Sequence, residues 1–286
     1  MAKRIKIVTD SVADIPAELL AQWNIDIIPT FVNYGGQSYA DDGLELDRGA
    51  FYNQLAHMSE VPTTSAPPPA LAQEILEQAI EGYDHIVAIH VPQAYSTTLN
   101  NVRLGAQSLG DRVTVLDGLS ITMGLGQVVL VAAEVAKRTG SVDAIRDAVA
   151  RTQANLNIYA VIATMTYLQR SGRVNPIVAA VGTMLQIKPI LHVHDGIIEP
   201  IHRVRTFGRA LDKLHELVRA QLPLDRLVVL HIQNQAGAHS FLESLGEIAP
   251  KFTPIMEVGP TLGTHIGPGA VGVVTLRAGW QTRAMN

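Results

Sequence analysis

The sequence predicts an α/β fold in two domains, each a mainly parallel sheet flanked by helices. Two observations lead there. Short runs rich in Val and Ile alternate with longer runs whose apolar residues recur every three or four positions, and the alternation persists along the whole chain. At 286 residues the chain is also long enough for two modest α/β domains or one large one, and the former is the reading kept. A helix ending near Asn155 sets the expected boundary, giving an amino-terminal domain over 1–155 and a carboxy-terminal domain over 156–286.

Taken in order, Arg4–Val8 alternates charged and apolar residues, as a strand does, and stops at Thr9-Asp10-Ser11. A proline-led helix follows from Pro16, with Asp14 placed to cap it. Ile25–Val32 reads as a second strand, interrupted by Pro29. Phe51 with Leu55, and then Leu71, Ile75 and Ala79, carry the four-residue spacing of short amphipathic helices. Between them, Val61-Pro-Thr-Thr-Ser-Ala-Pro-Pro-Pro69 reads as an extended, hydroxyl-rich loop, because its prolines oppose a continuous helix. His85–Val91 predicts a strand, Ser96–Leu109 a helix and Val113–Leu116 a strand. Gly124–Lys137 and Val142–Ala154 predict successive helices, the second with Val142, Ile145 and Val149 on one face. Ile158–Ala163 opens the second half as a strand. After Tyr167–Val174 come a short apolar helix and two strands that meet at Asp195-Gly196, a hairpin turn. Phe207, Leu211, Leu214 and Val218 form a helical stripe. Strand, helix and strand signals follow at Leu227–His231, His239–Leu245 and Pro254–Val258, and Val271–Leu276 closes the pattern as a strand.

Composition narrows the function classes. The net charge is −4 and no Lys/Arg run is dense enough for a nucleic-acid or polybasic membrane patch. The chain has no cysteine, which excludes disulfides, thiolate metal sites and cysteine nucleophiles together. Its amino terminus runs directly into a strand without the apolar region of a signal peptide. The most apolar long stretch, Leu119–Ala136, carries Ser120, Gln127 and Glu134, too polar a run to span a bilayer comfortably. The expectation is a soluble, cytoplasmic protein. Aromatics are only 5% against 47% hydrophobic residues, so aliphatic side chains build the interior, whether that interior is a core or an apolar tunnel.

The densest motif is Gly259-Pro-Thr-Leu-Gly-Thr-His-Ile-Gly-Pro-Gly-Ala-Val-Gly272, with His265 at its middle. Glycines let backbone approach a ligand, and prolines fix the geometry between them. A strand rather than a helix is expected next, which argues against a phosphate-binding loop. The motif reads as a rigid loop that either holds a ligand or simply precedes a strand. Thr63-Thr64-Ser65 and Ser96-Thr97-Thr98 concentrate hydroxyls that can donate to an anionic oxygen, although taken singly they read first as helix capping, by Ser96 for the helix after it. Gly124-Leu-Gly126 is half of a dinucleotide fingerprint, with Val129 where the third glycine belongs. His192 and His194 lie two apart on a strand, followed by Asp195; metal binding would need further ligands, so a solvent-facing hairpin end is the reading kept and no metal site is assigned. Asp41-Asp42 are adjacent carboxylates that need not converge, and neither G-x-S-x-G nor H-E-x-x-H occurs. No catalytic constellation emerges.

Read together, these segments resemble the DegV family from end to end. The resemblance rests on Thr9-Asp10-Ser11 with Asp14, Tyr39-Ala-Asp41-Asp42-Gly43, Pro62-Thr-Thr-Ser65 with Pro67, and Tyr167-Leu-Gln-Arg-Ser-Gly-Arg-Val174. It continues through Lys188-Pro-Ile-Leu191, Asp195-Gly196, Arg203-Val-Arg205 and Gly263-Thr-His-Ile-Gly-Pro-Gly269, the most specific of the set. It implies a non-catalytic protein that encloses a long-chain fatty acid between or beside two α/β domains. It further implies that the bound acid is presented to a separate ATP-dependent fatty-acid kinase, which makes the acyl phosphate. By motif position Thr64, Ser65, Ser96, Thr264 and His265 would surround the carboxylate, while Arg173 and Arg205 would serve the kinase. The ligand is then the fatty acid, with no further cofactor, no nucleic acid and at most transient membrane contact. Three departures stand out: Thr97 replaces a glycine, Ile266 replaces a threonine, and Ala66 and Pro68 replace polar residues. The alternatives are a small-molecule enzyme using His265 as base or nucleophile, oriented by Asp10 or Asp42, and a lipid-sensing regulatory module.

Overall fold

A computed structural model of the chain describes residues 3–58, 60–172 and 187–281. It divides into two compact units, one of residues 1–47 and 64–154, the other of 48–63 and 155–286.

The first unit is built on four parallel strands in the order β2-β1-β6-β7, namely β1 (Ile5–Asp10), β2 (Ile25–Ile28), β6 (His85–His90) and β7 (Val113–Asp117). Every residue of β6 is buried, as a central parallel strand covered on both faces requires. Helices α3 (Pro69–Ala79) and α4 (Thr98–Gly105) set Ala72, Leu76 and Val102 against Val8, Ile28, Ile86 and Ala88 of the sheet. Helix α5 (Thr122–Thr139), buried without interruption from Thr122 to Ala133, packs against β1 and the Ser11–Ala13 turn. A smaller sheet, β4-β3-β5, joins β3 (Phe31–Tyr34), β4 (Gln37–Ala40) and β5 (Thr63–Ser65). The hydroxyl-rich segment expected as a loop thus contains a short strand: its prolines lie outside residues 63–65 and leave the amides there free to pair.

The second unit corrects one expectation. Its six strands run β10-β9-β8-β13-β11-β12, and only β11 (Leu224–His231) with β12 (Ile255–Glu257) is parallel. The pairs among β8 (Leu156–Val161), β9 (Lys188–His194), β10 (Ile197–Val204), β13 (Val271–Arg277) and β11 are antiparallel. The alternation of strand and helix suggested crossovers between parallel neighbours. Instead, β13 enters the middle of the sheet and pairs antiparallel with both β8 and β11. Helices α8 (Phe207–Arg219) and α9 (Gln235–Leu245) set Ala210, Leu214, Val218, Ala238 and Phe241 against Tyr159, Val161, Val229 and Val273.

Residues 48–63, which the sequence reading keeps in the amino-terminal half, cluster with the second unit. Helix α2 (Arg48–Leu55) is held there through Arg48, which donates to the Glu257 carbonyl at 2.5 Å, and through Tyr52. Asp14 also departs from expectation. Helix α1 (Ala17–Trp23) begins behind Pro16 with no side-chain cap, while Asp14 adopts a left-handed backbone and accepts a hydrogen bond from Thr122 Oγ1 at 2.6 Å. Among the described residues no helix is long and apolar enough to cross a membrane.

Candidate functional site

In the first unit, β1 and β6 are adjacent, yet the chain leaves β1 toward β2 on one side and leaves β6 toward β7 on the other. Ligands collect beyond the carboxyl ends of strands at such a reversal. Asp10 ends β1 and His90 ends β6, and the two face each other with no solvent exposure: His90 Nδ1 lies 3.0 Å from Asp10 Oδ2. Asp10 also accepts the Val12 and Val91 amides, at 3.0 and 2.9 Å, so its carboxylate is fully engaged. His90 Nε2 meets no hydrogen-bond partner among the described residues, so a proton on Nδ1 leaves only a lone pair unmatched inside. Sequence reasoning quoted Asp10 but missed His90, because the parallel register that joins their strands is not local.

The Ser96-Thr97-Thr98 turn follows the carboxyl end of β6. Ser96 Oγ accepts the Thr98 amide at 3.1 Å and lies 2.8 Å from Thr98 Oγ1. Ser96 therefore braces the turn into α4 from one residue before its N-cap, Thr97, and it keeps a hydroxyl proton to donate whenever Thr98 supplies the proton between them. Asn101, in the first turn of α4, donates to the Pro67 carbonyl at 2.9 Å. That bond ties the turn to the segment carrying Thr64 and Ser65. Thr64 is half-buried, while Ser65 is exposed and accepts from Asn33 Nδ2 at 3.3 Å, leaving its own proton to donate.

In the second unit, the glycine-rich motif is not the loop expected. Pro260–Ile266 forms helix α10: Pro260 presets its first turn, and Gly267, at φ +77°, ends it. Thr264 is buried and donates its hydroxyl proton to the Pro260 carbonyl at 2.8 Å. That bond satisfies its hydroxyl proton within the helix. His265, the next residue, is half-buried. The glycines have a packing reason. A β-carbon on Gly263 would press into the ring of Tyr52, whose hydroxyl meets the Val258 and Gly259 carbonyls at 2.7 and 3.0 Å. At Gly267 it would meet the ring of Tyr167. Ile266 packs against Ile162, Met165, Leu168 and Leu191, so the residue that departs from the family pattern works as apolar packing.

Other residues singled out by sequence take structural places. Asp42 accepts the Leu44 and Glu45 amides at 2.8 and 2.9 Å, so both carboxylates named as partners for His265 are occupied locally. Gly124 and Gly126 lie inside the buried α5, not in a phosphate loop. Arg205 is exposed in the bend between β10 and α8; Arg173 lies outside the described residues. His192 stacks on Tyr159 with ring centroids 4.6 Å apart, and burial, followed by the neighbouring His194, lowers its pKa to about 4.

Comparisons with known proteins show which chains this one is similar to. A family model described as "Uncharacterised protein, DegV family" matches residues 4–278. A DegV domain-containing protein of Deinococcus radiodurans is 32% identical over 283 residues, covering 94% of this chain and 97% of that protein. A structure described as "Fatty Acid Binding of a DegV family Protein from Thermus thermophilus" superimposes with a TM-score of 0.89 at 28% identity, covering 96% of this chain and 99% of that one. The structure of "DegV, a fatty acid binding protein from Bacillus subtilis" gives a TM-score of 0.85 at 29% identity, with 96% and 100% covered.

Proposed function

This chain belongs to the DegV family, and on that premise we propose that it binds a long-chain fatty acid in a buried apolar tunnel and presents the carboxylate to a separate ATP-dependent fatty-acid kinase. Two solved relatives are described as fatty acid binding proteins, which supports the ligand class. The observation that carries the head-group assignment is the Asn101–Pro67 bond. It holds the Ser96 turn and the Thr64-Ser65 strand to each other beside the reversal between β1 and β6.

In this reading Thr64, Ser65, Ser96 and His265 donate to the carboxylate, and Thr264 serves the helix that carries His265. Tail burial dominates affinity at about 0.8 kcal/mol per methylene. The donors contribute about 1.5–3 kcal/mol each, offset by desolvation of the anion. The protein itself performs no chemical step and works in the cytoplasm, and the exposed Arg205, with Arg173, meets the kinase.

Lipid extraction and mass spectrometry of protein purified without added lipid tests the ligand: a stoichiometric C14–C18 acid is expected, and protein that is empty and without fatty-acid affinity would sink the reading. Thr64→Val and His265→Ala should each weaken fatty-acid binding by roughly tenfold or more, while Thr264→Val should leave it nearly unchanged. Arg205→Ala should bind normally and impair only phosphorylation by a matched kinase; equal loss of binding would reject its assignment.

A further inference from the structure

The hairpin of β9 and β10 gathers three metal-donor side chains that the lipid reading leaves unused. His192 and His194 alternate along β9 and share a face of the sheet. Glu199 is the register partner of His192 across the antiparallel pair, which puts its side chain on that face too. One donor atom from each residue lies within 4.8 Å of the others.

Both imidazoles are oriented from behind. His192 Nε2 lies 2.8 Å from Asn157 Oδ1, Asn157 Nδ2 donates to Gln221 Oε1 at 3.2 Å, and Gln221 Nε2 donates to the Tyr159 hydroxyl at 2.9 Å. With the Asn157 oxygen toward His192, the His192 proton sits on Nε2 and Nδ1 is the nitrogen that offers a lone pair. His194 Nδ1 faces Asp195 Oδ2 at 3.4 Å, and its Nε2 lies 3.1 Å from Glu199 Oε1. Histidines that ligate metals are typically held in this way, the second ring nitrogen donating to an amide, carbonyl or carboxylate.

We propose that His192, His194 and Glu199 form a binding site for a divalent transition-metal ion of the zinc class, with a coordination position left open to solvent. Two imidazoles and one carboxylate suit Zn²⁺, and three protein ligands leave a fourth position for water or a small ligand. Donors at about 2.0–2.2 Å from one ion stand closer together than 4.8 Å. The half-exposed Glu199 can close that gap by side-chain rotation, and any shift of the partly exposed His194 exchanges its 3.4 Å contact with Asp195 for the ion. Sequence alone offered the two histidines without a third ligand; the cross-strand register supplies it.

The test is titration of the chelator-treated full chain with ZnCl₂ by calorimetry, and with CoCl₂ by visible absorption. One saturable Zn²⁺ per chain and Co²⁺ bands of a nitrogen–oxygen site are expected. Glu199→Gln, a near-isosteric change at an exposed position, and His192→Ala should each weaken Zn²⁺ at least tenfold. Asn157→Ala should cost roughly 10–100-fold through loss of orientation, and His57→Ala should change nothing. Absence of saturable binding, or Zn²⁺ affinity that Glu199→Gln and His192→Ala both leave intact, would overturn the site. The cluster would then be His194 hydrogen-bonded between Asp195 and Glu199.

Discussion

The ring of Tyr52 occupies the space that a side chain at residue 263 would need: a β-carbon on Gly263 would come within 2.6 Å of Tyr52 Cζ. Gly263→Ala should therefore destabilise the fold by about 1–3 kcal/mol through overpacking, read from urea denaturation. In a Tyr52→Ala background the same change should cost much less, because the clash is gone. Equal costs in the two backgrounds would show that the approach is looser than described.

Asp10 and His90 predict a larger effect. Asp10→Ala removes the acceptor for His90 Nδ1 and for two backbone amides, all in the interior. A loss of about 3–5 kcal/mol is expected, against a smaller loss for Asp10→Asn, whose amide oxygen still accepts. Denaturation midpoints of the two variants compared with the parent protein decide it; a near-neutral Asp10→Ala would refute the buried pairing.

His85 sets a pH dependence. Burial, and after it the positive charges of Lys3, Arg146 and Arg112, hold its pKa below the ordinary value, while its Nε2 pairs with Thr114 Oγ1 at 2.9 Å. The unfolded chain then binds more protons than the folded one just below the unfolded pKa of about 6.5. Stability from this group is complete above that pH and declines as pH falls toward the folded pKa. Denaturation midpoints measured from pH 7.5 to 5.5 should fall, and His85→Gln should flatten the slope.

Ile266→Thr restores the residue that the family resemblance leads one to expect. It should cost about 1–2 kcal/mol of apolar packing against Ile162, Met165, Leu168 and Leu191. A thermal shift assay with and without added fatty acid separates that packing loss from any gain in ligand affinity. Unchanged stability without ligand would mean that Ile266 packs on nothing that matters.

Most elements were legible because their signals are local. The stripe Phe207, Leu211, Leu214, Val218 and the Asp195-Gly196 turn specify a helix and a hairpin within one window of sequence. What stayed hidden depends on partners far along the chain. Strand direction in the second sheet follows from β13 entering between β8 and β11, and no residue within β13 announces its neighbours. The glycine-rich motif suggested a loop because glycine disfavours helix, yet Gly263 is required by Tyr52 and the short helix forms around that requirement. The hydroxyls of Thr64, Ser65 and Ser96 were legible as candidates. That Thr264 is committed to Pro260, and that Glu199 stands opposite His192, emerged only with the backbone in place.

The placement of α2 has a consequence for how the protein is made. Tyr52 leaves the ribosome long before the carbonyl it binds, which lies 206 residues further on. Domains generally fold as units, amino-terminal first, during synthesis. Here the parallel sheet of the first unit is complete once residue 117 has emerged, with α2 carried in the nascent chain between its strands. The Tyr52 hydroxyl can meet the Val258 and Gly259 carbonyls, beneath the His265 helix, only after those residues have appeared.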